Sequence, residues 1–106
     1  MELDEFDAAS RHAVARGPAG EAIGTGRLLP DGHIGRLAVL ADWRGKGAGR
    51  ALLETLMDEA RQRGIAALAL NAQTAATGFY ERFGFVAEGE TFLDAGIPHV
   101  RMTRRA

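Results

Sequence analysis

The period of the apolar residues changes along this chain, and each change predicts an element. His12 to Arg16 and Ala22 to Leu29 are short runs of strand character on either side of Gly17-Pro18-Ala19-Gly20, which predicts an antiparallel hairpin. A second turn, Pro30-Asp31-Gly32, leads into the apolar run Ile34 to Ala41, so the front half reads as a three-stranded meander. Ahead of it, Glu2, Asp4, Glu5 and Asp7 make residues 1–8 an acidic leading segment, expected at the surface and not in a core element.

From Ala48 to Arg63 the period becomes helical. Leu52, Leu53, Leu56, Met57 and Ala60 form one stripe, Glu54, Asp58, Glu59 and Arg61 lie outside it, and Gly64 is placed to end the helix. Ile65 to Leu70 is continuously apolar, as a buried strand parallel to its predecessor through a right-handed crossover requires, with Asn71 at its carboxyl end. A shorter helix from about Thr74 to Phe83 sets Ala76, Phe79, Tyr80 and Phe83 on one face, with Gly84 as the stop. Phe85 to Ala87 and His99 to Met102 are the last strands expected, separated by a loop containing Gly89, Gly96 and Pro98.

Length and composition narrow the function classes. A chain of 106 residues fits one domain, and a formal net charge of −1 leaves no global basic surface for nucleic acid. The absence of cysteine excludes a thiol nucleophile and a disulfide framework. No apolar run approaches the ~20 residues needed to cross a bilayer, and the acidic start is unlike a signal peptide, so no membrane partner and a cytoplasmic location are expected. The spacing of His12, His33 and His99 does not resemble a metal site.

Chemistry concentrates between strand and helix, at Trp43-Arg44-Gly45-Lys46-Gly47-Ala48-Gly49-Arg50. Glycines 45, 47 and 49 let the backbone turn tightly and approach a ligand, and the free N–H groups and positive end of the following helix favour phosphate oxygens. Lys46, the only lysine, lies in the middle of it. A Walker loop needs Ser or Thr after Gly-Lys, where this chain has Gly47. A dinucleotide fingerprint needs Gly-x-Gly-x-x-Gly, where this chain reads Gly-x-Gly-x-Gly. Both fail.

Two motifs carry a resemblance that those patterns do not. Arg44-Gly45-Lys46-Gly47-Ala48-Gly49, preceded by Leu37-Ala38-Val39, is similar to the Arg/Gln-x-x-Gly-x-Gly/Ala pyrophosphate loop of the GNAT superfamily of acyl-CoA N-acyltransferases. Gly78-Phe79-Tyr80-Glu81-Arg82-Phe83-Gly84-Phe85 resembles its Phe-Tyr-x-x-x-Gly-Phe segment. The resemblance covers about residues 8 to 104 and implies an α+β fold: a mixed, mostly antiparallel sheet whose central parallel pair is splayed for CoA, with helices packed on it. Family members usually begin with a strand and one or two helices that this sequence does not show. A missing amino-terminal portion is therefore expected, with apolar sheet surface covered by a second copy in a homodimer.

The resemblance further implies acetyl-CoA as cosubstrate, no metal, and direct attack of an amine on the thioester, the amine belonging to a small molecule or a protein. Arg44, Gly45, Lys46, Gly47, Ala48, Gly49 and Arg50 would hold the pyrophosphate. Leu37, Ala38 and Val39 would pair with the pantetheine arm, an amide at Val39 or Leu37 would polarise the thioester carbonyl, and Asn71 would meet the arm or a water near the amine. Spacing alone puts Tyr80 on the aromatic stripe with Phe79 and Phe83; the family position makes it a proton donor to the departing thiolate. The general base is open among Glu88, Asp94 and His99. Two other functions are weighed against this one: a CoA-binding regulatory or scaffold module, and nucleic-acid binding through Arg101, Arg104 and Arg105.

Overall fold

The computed structural model describes residues 2–6 and 10–105. Strands β1 (Glu2–Phe6), β2 (Arg11–Arg16), β3 (Ala22–Leu28) and β4 (Ile34–Val39) are followed by helix α1 (Ala48–Gln62), strand β5 (Ala67–Gln73), helix α2 (Thr77–Glu81) and strands β6 (Val86–Asp94) and β7 (Ile97–Arg105). Neighbours pair antiparallel in the orders β1-β2-β3-β4 and β5-β7-β6.

Helix α1 buries the stripe that its periodicity predicts: Ala48, Leu52, Leu53, Leu56, Met57 and Ala60. Its end is fixed by backbone bonds. Gly64 takes the left-handed conformation, its N–H donates to the Arg61 carbonyl, and the Ile65 N–H reaches back to Ala60 at 2.9 Å. The helix lies on β2, β3 and β4, where glycines bring the two backbones close. A Cβ at Gly24 would sit 3.0 Å from Leu52 Cδ1, and one at Gly26 would sit 2.9 Å from both Leu37 Cδ1 and Leu56 Cδ1.

The two groups of strands meet along β4 and β5, which run parallel. Their backbones touch at the bridge between His33 and Ala69, where the Ala69 N–H donates to the Gly32 carbonyl at 3.1 Å. Packing joins them more broadly, since one core cluster takes Ile23, Leu28 and Ile34 from the first group, Leu68, Leu70, Phe85 and Met102 from the second, and the stripe of α1 between them. This is the mixed α+β arrangement expected, with its parallel part reduced to that bridge.

Four expectations need correction. Glu2–Phe6 is a strand paired with β2, so the front half is a four-stranded meander, while Asp7 and Ala8 lie outside the described residues. Strand β5 is displaced toward the carboxyl end and runs through Asn71 to Gln73. The second helix is a 3₁₀ turn, Thr74–Ala76, continued by the short α2. The expected loop after Ala87 is a hairpin of two nine-residue strands turning at Ala95-Gly96, with Gly89 inside an irregular stretch of β6 and Pro98 paired with Leu93.

Gly32 joins the two groups of strands at positive φ, and a Cβ there would collide with the Ala67 carbonyl oxygen. Gly64 also has positive φ, but its Cβ would meet nothing within 4 Å. Gly64→Ala is therefore expected to cost about 1–2 kcal/mol of backbone strain, and Gly32→Ala that strain plus about 1–3 kcal/mol of overpacking. Urea unfolding of the two variants checks the order.

Candidate active site

The site begins with a bulge. Between Thr25 and Arg27, β3 has the single residue Gly26, whereas between Ala38 and Gly35, β4 has Leu37 and Arg36. The extra residue bends β4, and beyond the Ala69 bridge it parts from β5. The gap is a cleft of about 410 Å³. One wall is Ile34, Gly35, Leu37, Ala38 and Val39, the other Leu70, Asn71 and Gln73, and Arg44, Ala76, Tyr80 and His99 close it. A second hollow of about 250 Å³ lies under Trp43, Gly45, Gly47, Gly49, Arg50 and Phe79, and shares Val39 and Arg44 with the first. The two form one trench.

Backbone polarity lines it. The Leu40 N–H donates to Ile23 on β3, whereas the Val39 carbonyl accepts from Arg44 Nε at 3.2 Å. Successive peptide edges of a strand alternate, so the Val39 N–H shares the outward side of its carbonyl and faces the parting. At the far end, α1 starts from Gly47 with no side-chain cap and no acid in its first turn. Its first N–H groups are open to an anion. Gly45 and Gly47 both have positive φ, and a Cβ at either would meet nothing within 4 Å, so the loop is open above its backbone.

The side chains of the loop contribute unequally. Lys46 Nζ sits 5.1 Å from the Trp43 ring centroid, a cation–π contact that holds it beside the loop. Arg50 is engaged with Glu54 at 2.7 Å. The Ala48 side chain is buried beneath α1, so only its backbone can serve a ligand.

Tyr80 and His99 are brought to the same cleft. Tyr80 meets Phe79 and Phe85 edge-on at 5.1 and 6.1 Å, and this burial pushes its phenol above the ordinary value. The phenol is therefore neutral near pH 7 and keeps its O–H as a donor. His99 Nδ1 lies 2.7 Å from the Ile97 carbonyl. A carbonyl only accepts, so Nδ1 carries the hydrogen and Nε2 is the basic nitrogen. The ring stacks on Phe92 at 6.0 Å.

The other two base candidates fall elsewhere. Glu88 is exposed, accepts from Thr103 Oγ1 at 3.2 Å and faces Arg101; Asp94 ends β6 beside the hairpin turn; neither lines the cleft. In the basic tail, Arg101 faces Glu88 on the neighbouring strand and Arg104 donates to Met57 Sδ of α1, so these two are engaged within the fold. Gln73 is a cleft residue that the sequence reading missed. It is two residues from Asn71 on one strand, so strand alternation was the available signal.

A sheet parted by a bulge above an uncapped, glycine-led helix is the arrangement that the motifs imply, and the model of the acetyltransferase (GNAT) domain matches residues 3–106. The chain belongs to the GNAT acetyltransferase family. This GNAT chain is 36% identical over 107 residues to YjcF of Bacillus subtilis strain 168, named an uncharacterized N-acetyltransferase, in a match covering 97% of this chain and 76% of that one. Among solved structures it resembles an acyl-CoA N-acyltransferase from Pseudomonas aeruginosa, with TM-score 0.81 and 32% identity over 90% of this chain and 68% of the other. It also resembles ElaA of Escherichia coli, with TM-score 0.82 and 26% identity over 93% and 70%.

Tyr80 is the only tyrosine, so its ionisation can be followed by tyrosinate absorbance. The midpoint is expected above 10, the ordinary value. Because the folded state holds this proton more tightly, the stability it contributes is complete below pH 10 and lost as pH rises through the raised value. A midpoint at or below 10 in the folded protein would show a solvated phenol.

Proposed function

We propose that this GNAT chain transfers the acetyl group of acetyl-CoA to an amine by direct attack of the nitrogen on the thioester. The observation that carries the reading is the continuous trench from the uncapped start of α1, past the outward edge of Val39, to Tyr80 and His99. The name of the Pseudomonas aeruginosa neighbour, an acyl-CoA N-acyltransferase, supports the donor class.

In this reading the N–H groups at Gly47 to Arg50 and the charges of Arg44 and Lys46 hold the pyrophosphate. The pantetheine arm lies along Leu37, Ala38 and Val39 as an added strand, with Asn71 opposite, and brings the thioester to the Val39 N–H. That N–H donates to the carbonyl oxygen as the tetrahedral intermediate gains charge. The amine arrives as an ammonium ion and loses one proton before attack. His99 Nε2 accepts the second proton, which the nitrogen sheds once bonded. The C–S bond then breaks, Tyr80 donates a hydrogen bond to the leaving thiolate, a proton from solvent completes the thiol, and the products are the N-acetyl amide and the CoA thiol.

The first test is thermal unfolding with acetyl-CoA, beside ATP and NADH as controls. A ligand at a hundred times its Kd stabilises by about 2.7 kcal/mol, and the shift is expected with acetyl-CoA alone. Tyr80→Phe is expected to lower turnover roughly tenfold or more while leaving that shift intact. Equal shifts from all three ligands would remove the donor assignment, and unchanged turnover would make Tyr80 a packing residue. Stabilisation by acetyl-CoA without acetylation across an amine panel would favour a CoA-binding regulatory module.

A further inference from the structure

We infer that the amine acceptor of this cleft carries a carboxylate and that Arg27 binds it; the inference rests on the acetyl-transfer reading and specifies its substrate class.

Arg27 stands on β3 directly across from His12 on one side and Gly35 on the other. Its neighbour Gly26 faces α1, since a Cβ there would meet Leu56. Alternation therefore turns Arg27 to the opposite face of the sheet. Gly35 lines the cleft, and a Cβ built on it would lie 3.8 Å from Arg27 Nη2. With no side chain at position 35, the guanidinium overlooks that part of the cleft wall.

The guanidinium has unmet capacity. Among the described residues Arg11, Arg50, Arg61, Arg63 and Arg101 each face a carboxylate. Arg27 faces none, and its Nε is buried with no hydrogen-bond partner. Arg27 is not itself a lining residue, but its Nη2 stands over the open Gly35 position of the cleft wall, and a planar fork of charged donors matches the two oxygens of a carboxylate.

The charge of the cleft gives independent support. Among the described residues its ionisable side chains are Arg44, Tyr80 and His99, and no described Asp or Glu lines it. A polyamine or an aminoglycoside, with several ammonium groups, finds no countercharge among those residues. An amine whose other charged group is a carboxylate is drawn toward Arg27, and its amino group is left to face the thioester.

The test compares kcat/KM with acetyl-CoA for free amino acids, their methyl esters and spermidine, using the wild type, Arg27→Gln and Arg27→Lys. Calorimetric binding of the same amines to the CoA-loaded protein decides the matter where turnover is too low to read. Free acids are expected to be preferred over esters and spermidine by roughly tenfold or more, because a site built for a charged hydrogen-bonding group rejects analogues lacking it. Arg27→Gln should remove that preference by weakening the acids alone. Arg27→Lys should restore part of it, and the acetyl-CoA thermal shift should persist in both variants. Esters or spermidine equal to the acids, or an Arg27→Gln loss shared by acids and esters, would overturn the inference and leave the donor reading standing. A wild-type protein that acetyl-CoA does not stabilise would overturn both.

Discussion

The parting of β4 from β5 is the constraint on which the rest of the structure depends. Two parallel strands that meet at the Ala69 to Gly32 hydrogen bond would ordinarily continue pairing, and each peptide group left unpaired in a dry interior costs about 1–3 kcal/mol. The bulge at Arg36 and Leu37 bends β4 away before that ladder can form. The open edges must then be satisfied by water or by a ligand with amides of its own. What prevents the gap from opening the molecule lies beneath it. Leu52, Leu53 and Leu56 of α1 share one core cluster with Leu68 and Leu70 of β5, so side-chain packing holds together what the backbone does not.

The same geometry divides the site into ends of different kinds. At the helix end the groups open to the trench are backbone amides, and the side chains mainly keep space clear or add charge. A residue with a Cβ at 45 or 47 would be strained by the positive φ, although no neighbour obstructs it. At the other end the groups are side chains from separate elements: Tyr80 from α2 and His99 from β7 line the cleft, and Arg27 from β3 is the carboxylate partner proposed above. Each of these depends on tertiary packing for its position, the tyrosine on Phe79 and Phe85 and the histidine on Phe92 and the Ile97 carbonyl.

That division explains what was legible in the sequence. The anion loop and α1 could be read because their determinants are local: glycines at fixed offsets, then an apolar period of 3.6 ending at Gly64. Strand β1 was hidden because four acids in eight residues signal a solvated segment, and pairing with β2 overrides composition. The β6–β7 hairpin was hidden for a related reason. Gly89, Gly96 and Pro98 are turn formers, but the structure uses one at an irregular step in β6 and another in a strand facing Leu93. The cleft itself could not be read from periodicity, since it arises where pairing stops, and hydrophobic patterning reports burial but not the partner strand. Arg27 was invisible for the same reason, because its proposed significance comes from Gly35 on the next strand.

The raised pKa of the partly buried Tyr80 limits how protons can move in the proposed reaction. A phenol held above 10 is a weaker acid than a thiol of pKa about 8.5, so complete transfer from Tyr80 to the departing thiolate is uphill. A hydrogen bond that strengthens as charge develops on sulfur is not subject to that limit, because the proton need not leave the oxygen. The departing thiolate can take its proton from the pool that the amine supplies, and in the proposed reaction the imidazole, whose Nδ1 is tied to the Ile97 carbonyl, offers Nε2 to the proton that nitrogen sheds. In the proposed reaction the two partly buried side chains of the cleft have separate tasks: the phenol stabilises the leaving group by a hydrogen bond, and the imidazole carries the proton.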